Sequence, residues 1–351
     1  MRTDLYQSIT QQIIDAIEAG ASAATYQLPW HCNAETSTPI NAISRRRYRG
    51  VNTLLLWAAA GQAGYPTGEW ATYRQWDAAG AQVRKGERAT VVLLWKAVGS
   101  GDDDAESDAA RLQHRTLARA FYVFNVAQVD GHHSRRTELP AAVRNEQADA
   151  FFAAQPAVVW HGSETAFFDP ASDTVSIPSF TTFFSPDAYY SVYAHELTHW
   201  TGAKPRLSRD LSGRFGSEAY AMEELVAELG AAFTLAHLGL AATPRDDHAC
   251  YIASWLSVLR GDSRAIVTAA GRAQSAADYL VALADPTPSS PSGQCDVTSS
   301  EGRHEHRTTP PPLQIEDRCV RALPAATLAS GTPPSGSAVR CRHFRTVSVR
   351  T

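Results

Sequence analysis

Residues 4–19 set Leu5, Ile9, Ile13 and Ile17 on one stripe with Gln and Asp between them, the spacing of a helix that docks one face. After an irregular stretch through Pro29-Trp30 and Pro39, Gly50 precedes an apolar segment, Val51 to Ala60, that predicts a second helix. The turn-rich run Gly80 to Glu87 leads into Ala89 to Trp95, whose β-branched and aromatic content predicts a strand. Phe121 to Val126 predicts another, able to pair with the first across an exposed acidic loop at residues 100–110.

From about residue 145 the pattern changes. Ala157 to Trp160, Ala166 to Phe168 and Thr174 to Ile177 read as short strands. Ser185-Pro186-Asp187 is a helix start, combining a capping hydroxyl, a residue that needs no amide partner and an acid at the positive helix end; Gly202 ends that helix. Ser217 caps a long helix closed by Gly239, and further helices follow at Asp247 to Leu259 and Ser263 to Leu283. Beyond residue 284 the chain is rich in Pro, Ser, Thr and Gly without an apolar period. The expected fold is α+β: a mixed α/β domain over residues 1–130, a second domain over 145–283, and a low-complexity, disordered tail over 284–351.

The chemistry concentrates in the second domain. His195-Glu196-Leu197-Thr198-His199 puts two imidazoles one helical turn apart, able to approach a single zinc ion, with Glu196 between them as general base for water. A mononuclear site needs a third ligand, and the next helix offers Glu223, Glu224 and Glu228 in an apolar neighbourhood where a carboxylate requires a cation or hydrogen bonds. Glu224 is the expected ligand and Glu228 the brace for a histidine; a rotated helix would offer Glu223 instead. Thr174 to Pro178 is expected as an edge strand that receives an extended peptide, and Tyr189, Tyr190 and Tyr193 as either cleft walls or packing residues.

Composition adds bounds. The 351 residues carry a net charge of -4, which gives no global pull towards nucleic acid. Five scattered cysteines fit a reducing compartment, and with no signal-peptide core or membrane span in view the expected location is the cytoplasm. Local charge reads differently. Arg45, Arg46, Arg47, Tyr48 and Arg49 form a basic cluster with an aromatic, Arg84, Lys85 and Arg88 a second, and Trp70, Tyr73 and Trp76 recur at three-residue intervals. Cations neutralising phosphates beside rings that stack on unpaired bases would suit single-stranded DNA. In the tail, Cys295, His304, His306, Cys319, Cys341 and His343 are too irregularly spaced to define a metal site.

Both halves resemble the ArdC family of plasmid antirestriction proteins, in which a single-stranded-DNA-binding domain precedes a zincin-like metallopeptidase domain. The likeness rests on Tyr48-Arg49-Gly50-Val51-Asn52, Trp70 to Trp76 and Gly80 to Glu87, then on His195 to Gly202, Arg206-Leu207, Arg209, Phe215-Gly216-Ser217 and Glu223 to Glu228. It implies protection of incoming plasmid DNA from host restriction during conjugation, and it places Arg49, Asn52, Arg84 and Lys85 in the DNA-binding region. A host restriction protein or another DNA-associated protein is the implied peptidase target. The competing expectation is a non-enzymatic DNA-binding antirestriction protein in which zinc is structural. The acidic stretch after residue 100 and the long tail depart from the family pattern.

Overall fold

The amphipathic stripe read at the N-terminus forms helix α1 (Arg2–Ser22), with Ile9, Ile13 and Ile17 fully buried. The computed structural model describes residues 2–22, 28–31, 38–97, 116–132, 141–214, 216–243 and 248–285, so the acidic loop and the tail with its Cys and His residues lie outside the described residues. Helix α2 (Val51–Ala63) follows strand β1 (Ile40–Asn41) and ends on Gly64, whose φ of 67° is the left-handed cap that glycine adopts without strain. Strand β2 (Glu69–Ala71) and the short helix α3 (Tyr73–Ala78) come next, the latter opened by a capping box between Thr72 and Gln75. After β3 (Gln82–Val83) come the two predicted strands, β4 (Thr90–Ala97) and β5 (Thr116–Asn125), which pair antiparallel across the acidic insertion. With β1 and β2 they build a four-stranded sheet in the order β1-β2-β5-β4, while β3 pairs β6 (Val129–Asp130).

Helix α4 (Ala141–Ala153) is absent from the sequence reading, and it leads into β7 (Val158–His161), β8 (Phe167–Asp169) and β9 (Thr174–Ile177). Their order is β7-β9-β8. This corrects the edge-strand expectation for Thr174 to Ile177: the strand is central, parallel to β7 and antiparallel to β8, so its backbone groups are occupied on both sides. Helices α5 (Pro186–Thr201), α6 (Glu218–Leu238), α7 (His248–Gly261) and α8 (Ala265–Ala284) complete the chain as far as it is described. The cap signals act as read: Ser185 Oγ accepts from Ala188 N, Ser217 Oγ from Tyr220 N, and Gly239 has φ 72°.

The largest core is shared by both halves of the chain. Ile13 and Ile17 of α1 and Leu54 and Trp57 of α2 join one cluster with Leu225, Leu229 and Phe233 of α6, Trp255 of α7 and Ala273 of α8. Trp57 meets Phe233 at 5.7 Å between ring centroids. The small residues along α8 let α6 approach closely, which holds the glutamate-bearing helix against the N-terminal elements. A second cluster packs α5 against the three-stranded sheet and α4 through Phe152, Phe168, Val175 and Leu197.

Candidate metal centre

Helices α5 and α6 cross at Gly230. A Cβ on that residue would lie 2.5 Å from Thr198 Cγ2, so only glycine permits the approach. The crossing brings the histidine face of α5 onto the carboxylate face of α6. His195 and His199 point their Nε2 atoms at each other across 3.2 Å. Glu224 completes the triangle, with Oε2 3.5 Å from His195 Nε2 and Oε1 3.7 Å from His199 Nε2. One ligand atom from each of the three residues lies within 4.8 Å of the others, and all three are buried.

The two remaining glutamates sit behind the histidines. Glu223 Oε1 lies 3.2 Å from His199 Nδ1, and Glu228 Oε2 lies 3.4 Å from His195 Nδ1. Glu223, hydrogen-bonded at His199 Nδ1, favours the tautomer protonated there, and Glu228, at ion-pair distance from His195 Nδ1, acts on the second ring in the same direction, which would leave a lone pair on each Nε2. Two lone pairs and a carboxylate then converge on one point, an arrangement that a cation stabilises. Ligand bonds of about 2.1 Å at about 90–109° place donor atoms about 3.0–3.4 Å apart; the imidazole pair at 3.2 Å lies in that range, and the Glu224 oxygens at 3.5 and 3.7 Å stand just outside it, a small inward shift from ligation. The donor set thus fits a divalent ion.

Glu223 is held in turn by Arg209, whose Nε and Nη2 donate to its two oxygens at 3.0 and 2.8 Å. Burial acts to raise the Glu223 carboxyl, but the contacts with His199 and Arg209 outweigh it and hold it below the usual carboxylate range. Arg209 also donates to Thr198 O and Thr201 Oγ1. Gly202 makes room for it, since a Cβ there would meet Arg209 Nη2 at 2.8 Å; with φ of -75° this glycine is a space, not a left-handed cap. Glu196 is 1% exposed, and its Oε1 has no hydrogen-bond partner among the described residues. Tyr189, Tyr190 and Tyr193 are all buried, Tyr193 stacked on Phe152 at 4.6 Å, so they pack α5 rather than wall a cleft.

Sequence reasoning missed Trp30 and His31. Both are buried, and both hydrogen-bond Glu228 Oε1, at 3.1 and 3.3 Å. The only local signal was a tryptophan and a histidine adjacent in an otherwise polar, irregular stretch.

The basic residues separate into two places. Arg47, Tyr48, Arg49 and Asn52 line a groove of about 780 Å³ that also includes Trp95 and Phe121. Asn52, however, spends both ends of its amide on Leu93, donating to the carbonyl and accepting from N–H at 2.7 Å each, so it clamps α2 to β4. Arg45 turns to the buried Glu69, Arg46 is exposed, Arg47 contacts His237 Nδ1, and Arg49 pairs with Asp278. Arg84 and Lys85 line a different concavity, where Arg84 is engaged by Glu87, Asp130 and Ala127 O. Trp70 and Trp76 are fully buried, which removes them as stacking platforms and leaves Tyr73, 48% exposed, from that trio. Exposed rings lie instead on the β4–β5 hairpin, at Trp95, Phe121 and Tyr122.

Two histidines a turn apart with an acid from a crossing helix define a zincin-like domain, and residues 146–272 match the zincin-like metallopeptidase family MPTase-PolyVal. Residues 3–124 match the family described as the N-terminal domain of anti-restriction factor ArdC. The crystal structure of the antirestriction ArdC protein of plasmid R388 with Mn(II) bound is 35% identical, with a TM-score of 0.66 over 81% of this chain and 99% of that one. Its metal-free form is 36% identical, with a TM-score of 0.64 over 80% and 98%. The chain belongs to the ArdC family of antirestriction proteins. A Sinorhizobium fredii protein, y4eC, is 50% identical over 79% of this chain and 92% of its own length. A DNA primase TraC of Escherichia coli is 34% identical over 81% of this chain, which spans only 27% of that protein.

The zinc expectation is overturned by the relative's solved forms, which hold Mn(II) or no metal. The physical reason is the donor set: two imidazoles and a carboxylate, with no thiolate, accept first-row divalent ions generally and do not select zinc. Among the described residues no helix is long and apolar enough to cross a membrane.

Proposed function

We propose that this chain is an antirestriction factor that binds single-stranded DNA in the groove between Arg47–Arg49 and the β4–β5 hairpin, and that holds a divalent cation such as Mn(II) between His195, His199 and Glu224. The observation that carries the DNA reading is the groove itself, which Arg47 and Arg49 line together with the partly exposed rings of Trp95 and Phe121. Phosphates pair with the cations, and unpaired bases stack on the rings without a demand for one sequence. A salt series with matched single-stranded and duplex oligonucleotides tests it: single strands bind more tightly, and affinity falls as salt rises. Equal or stronger duplex binding defeats the single-strand assignment.

The cation's role follows from burial. His195, His199 and Glu224 are at most 2% exposed, so an ion held there ties α5 to α6 inside the core. One observation favours a second, enzymatic reading: the unpartnered carboxylate oxygen of Glu196 within the same helix turn. A bound cation would supply Lewis-acid polarisation of a peptide carbonyl. Glu196 would then take a proton from water and return it to the leaving nitrogen, while Glu223 and Glu228 keep the imidazoles aligned. A DNA-associated host protein, a restriction component included, is the target class this reading implies. Glu196→Ala separates the two roles. Metal content unchanged and antirestriction unchanged fit the structural role; metal content unchanged with loss of both cleavage and antirestriction fits the peptidase.

A further inference from the structure

The short segment Leu28 to His31 reaches the back of the metal centre. Trp30 Nε1 donates to Glu228 Oε1 at 3.1 Å, and His31 Nε2 lies 3.3 Å from the same oxygen. His31 Nδ1 accepts from Leu28 N–H at 3.0 Å, so its own ring proton sits on Nε2, where it is donated to Glu228. The other oxygen of Glu228 faces His195 Nδ1 at 3.4 Å. Trp30, His31 and Glu228 are 1%, 4% and 6% exposed, so these contacts are made away from bulk water, where hydrogen-bond geometry is enforced strongly. Trp30 is further fixed by an edge contact with Trp255 at 6.0 Å.

From this chain of contacts we infer that Trp30 and His31 are positioning residues for the metal centre: supplied by the segment after α1, they fix the Glu228 carboxylate, which fixes the tautomer and ring orientation of His195. The inference rests on the cation reading above. A carboxylate held by two donors on one oxygen presents the other in a defined direction. His195 Nε2 is therefore aimed before an ion arrives. Removing the two donors takes two hydrogen bonds from Glu228 Oε1 and loosens the carboxylate's hold on the His195 imidazole, so affinity falls although no ligand is lost. The same contacts tie part of the ArdC N-terminal match to a ligand in the metallopeptidase match, which makes the two regions one unit for metal binding.

The experiment uses the full chain, stripped of metal and titrated with Mn2+, the free ion being followed by electron paramagnetic resonance. The variants are Trp30→Phe, His31→Leu, His31→Gln and the double Trp30→Phe/His31→Leu. The expected result is a dissociation constant raised about 10- to 100-fold in the double variant. His31→Gln, whose side-chain amide can donate in place of Nε2, recovers most of the loss seen in His31→Leu. The melting temperature of each metal-free variant is the control for folding. Trp30→Phe keeps most of the ring volume, so it reports on the donor even if His31→Leu does not fold. An unchanged Mn2+ dissociation constant in a folded double variant overturns the inference. So does an equal loss in His31→Gln and His31→Leu, which would assign His31 to packing. A wild-type protein that binds no Mn2+ defeats the cation reading itself, and this inference with it.

Discussion

Arg209 grips Glu223 at two points, Nε to Oε2 at 3.0 Å and Nη2 to Oε1 at 2.8 Å, with both side chains less than one-tenth exposed. Glu223 in turn stands behind His199. Removing the guanidinium strands a buried carboxylate, and breaking a buried pair from one side costs about 3–5 kcal/mol. Arg209→Ala is therefore expected to lower the urea midpoint strongly and to weaken Mn2+ binding about tenfold through the loosened His199. Arg209→Lys, with one point charge in place of a fork, should recover only part of either loss. Wild-type stability and metal affinity in Arg209→Ala would show that the pair holds neither helix nor ligand.

How much of this was legible in the sequence depends on the range of the forces involved. Ser185-Pro186-Asp187 and Ser217 act within one helical turn, so α5 and α6 could be placed from local signals. The histidine spacing and the cluster of acids on an apolar helix were likewise local. Trp30 and His31 were not, because their partner Glu228 is almost 200 residues away and only the packing of the shared core brings them together. The same limit applies to Thr174 to Ile177, whose alternating pattern is equally compatible with an edge or a central strand; pairing order decides, and it is set by β7 and β8. Trp70, Tyr73 and Trp76 recur at three-residue intervals that suggest a shared face, but Trp70 belongs to β2 and Trp76 to α3, and each of these two tryptophans is buried in the core. The kind of ion the candidate site would take was illegible because two imidazoles and a carboxylate do not discriminate among divalent metals.

The close crossing of α5 and α6 gives a second expectation. Thr198 is β-branched and its Oγ1 is bonded to Ala194 O, so its methyl group cannot swing aside for a Cβ at Gly230. Gly230→Ala should cost more than the change in helix propensity gains, since overpacking of this kind costs about 1–3 kcal/mol. Thr198→Ala in the same chain removes the colliding methyl and should restore part of the loss, an interaction energy of about 1 kcal/mol or more in a double-mutant cycle. Strict additivity of the two substitutions would mean that the helices do not meet there.

Alkaline pH should destabilise the fold through the tyrosines of α5. Burial, followed by the hydrogen bond to Asp149, pushes the Tyr190 phenol well above its ordinary 10.0, and burial likewise raises Tyr189. The folded state retains these protons while the unfolded chain releases them, so their contribution is fully present below pH 10.0 and is lost as pH rises towards the folded values. Denaturant midpoints measured through that range should fall with pH, and less steeply in Tyr190→Phe. An equal slope in wild type and Tyr190→Phe would mean that this phenol titrates normally in the folded protein.

The groove separates residues that shape it from residues that would touch nucleic acid. Asn52 clamps the Leu93 backbone at both polar atoms, so Asn52→Ala should destabilise by about 1–3 kcal/mol by leaving those groups unsatisfied. Trp95 is 39% exposed on the hairpin and makes the opposite case. Trp95→Ala should leave stability nearly unchanged and weaken single-stranded DNA binding by roughly 5- to 160-fold, the range of about 1–3 kcal/mol for one stacked base. Asp278→Asn adds a sign test: it removes the carboxylate that pairs with Arg49 and should tighten binding, with a steeper salt dependence as that guanidinium turns to phosphate. A denaturant titration reads the first, and filter binding of a short homopyrimidine strand across a salt series reads the other two. A Trp95→Ala protein with undiminished affinity and an Asp278→Asn protein with an unchanged salt slope would move the strand off this groove, leaving Arg84 and Lys85 as the alternative contact region to test.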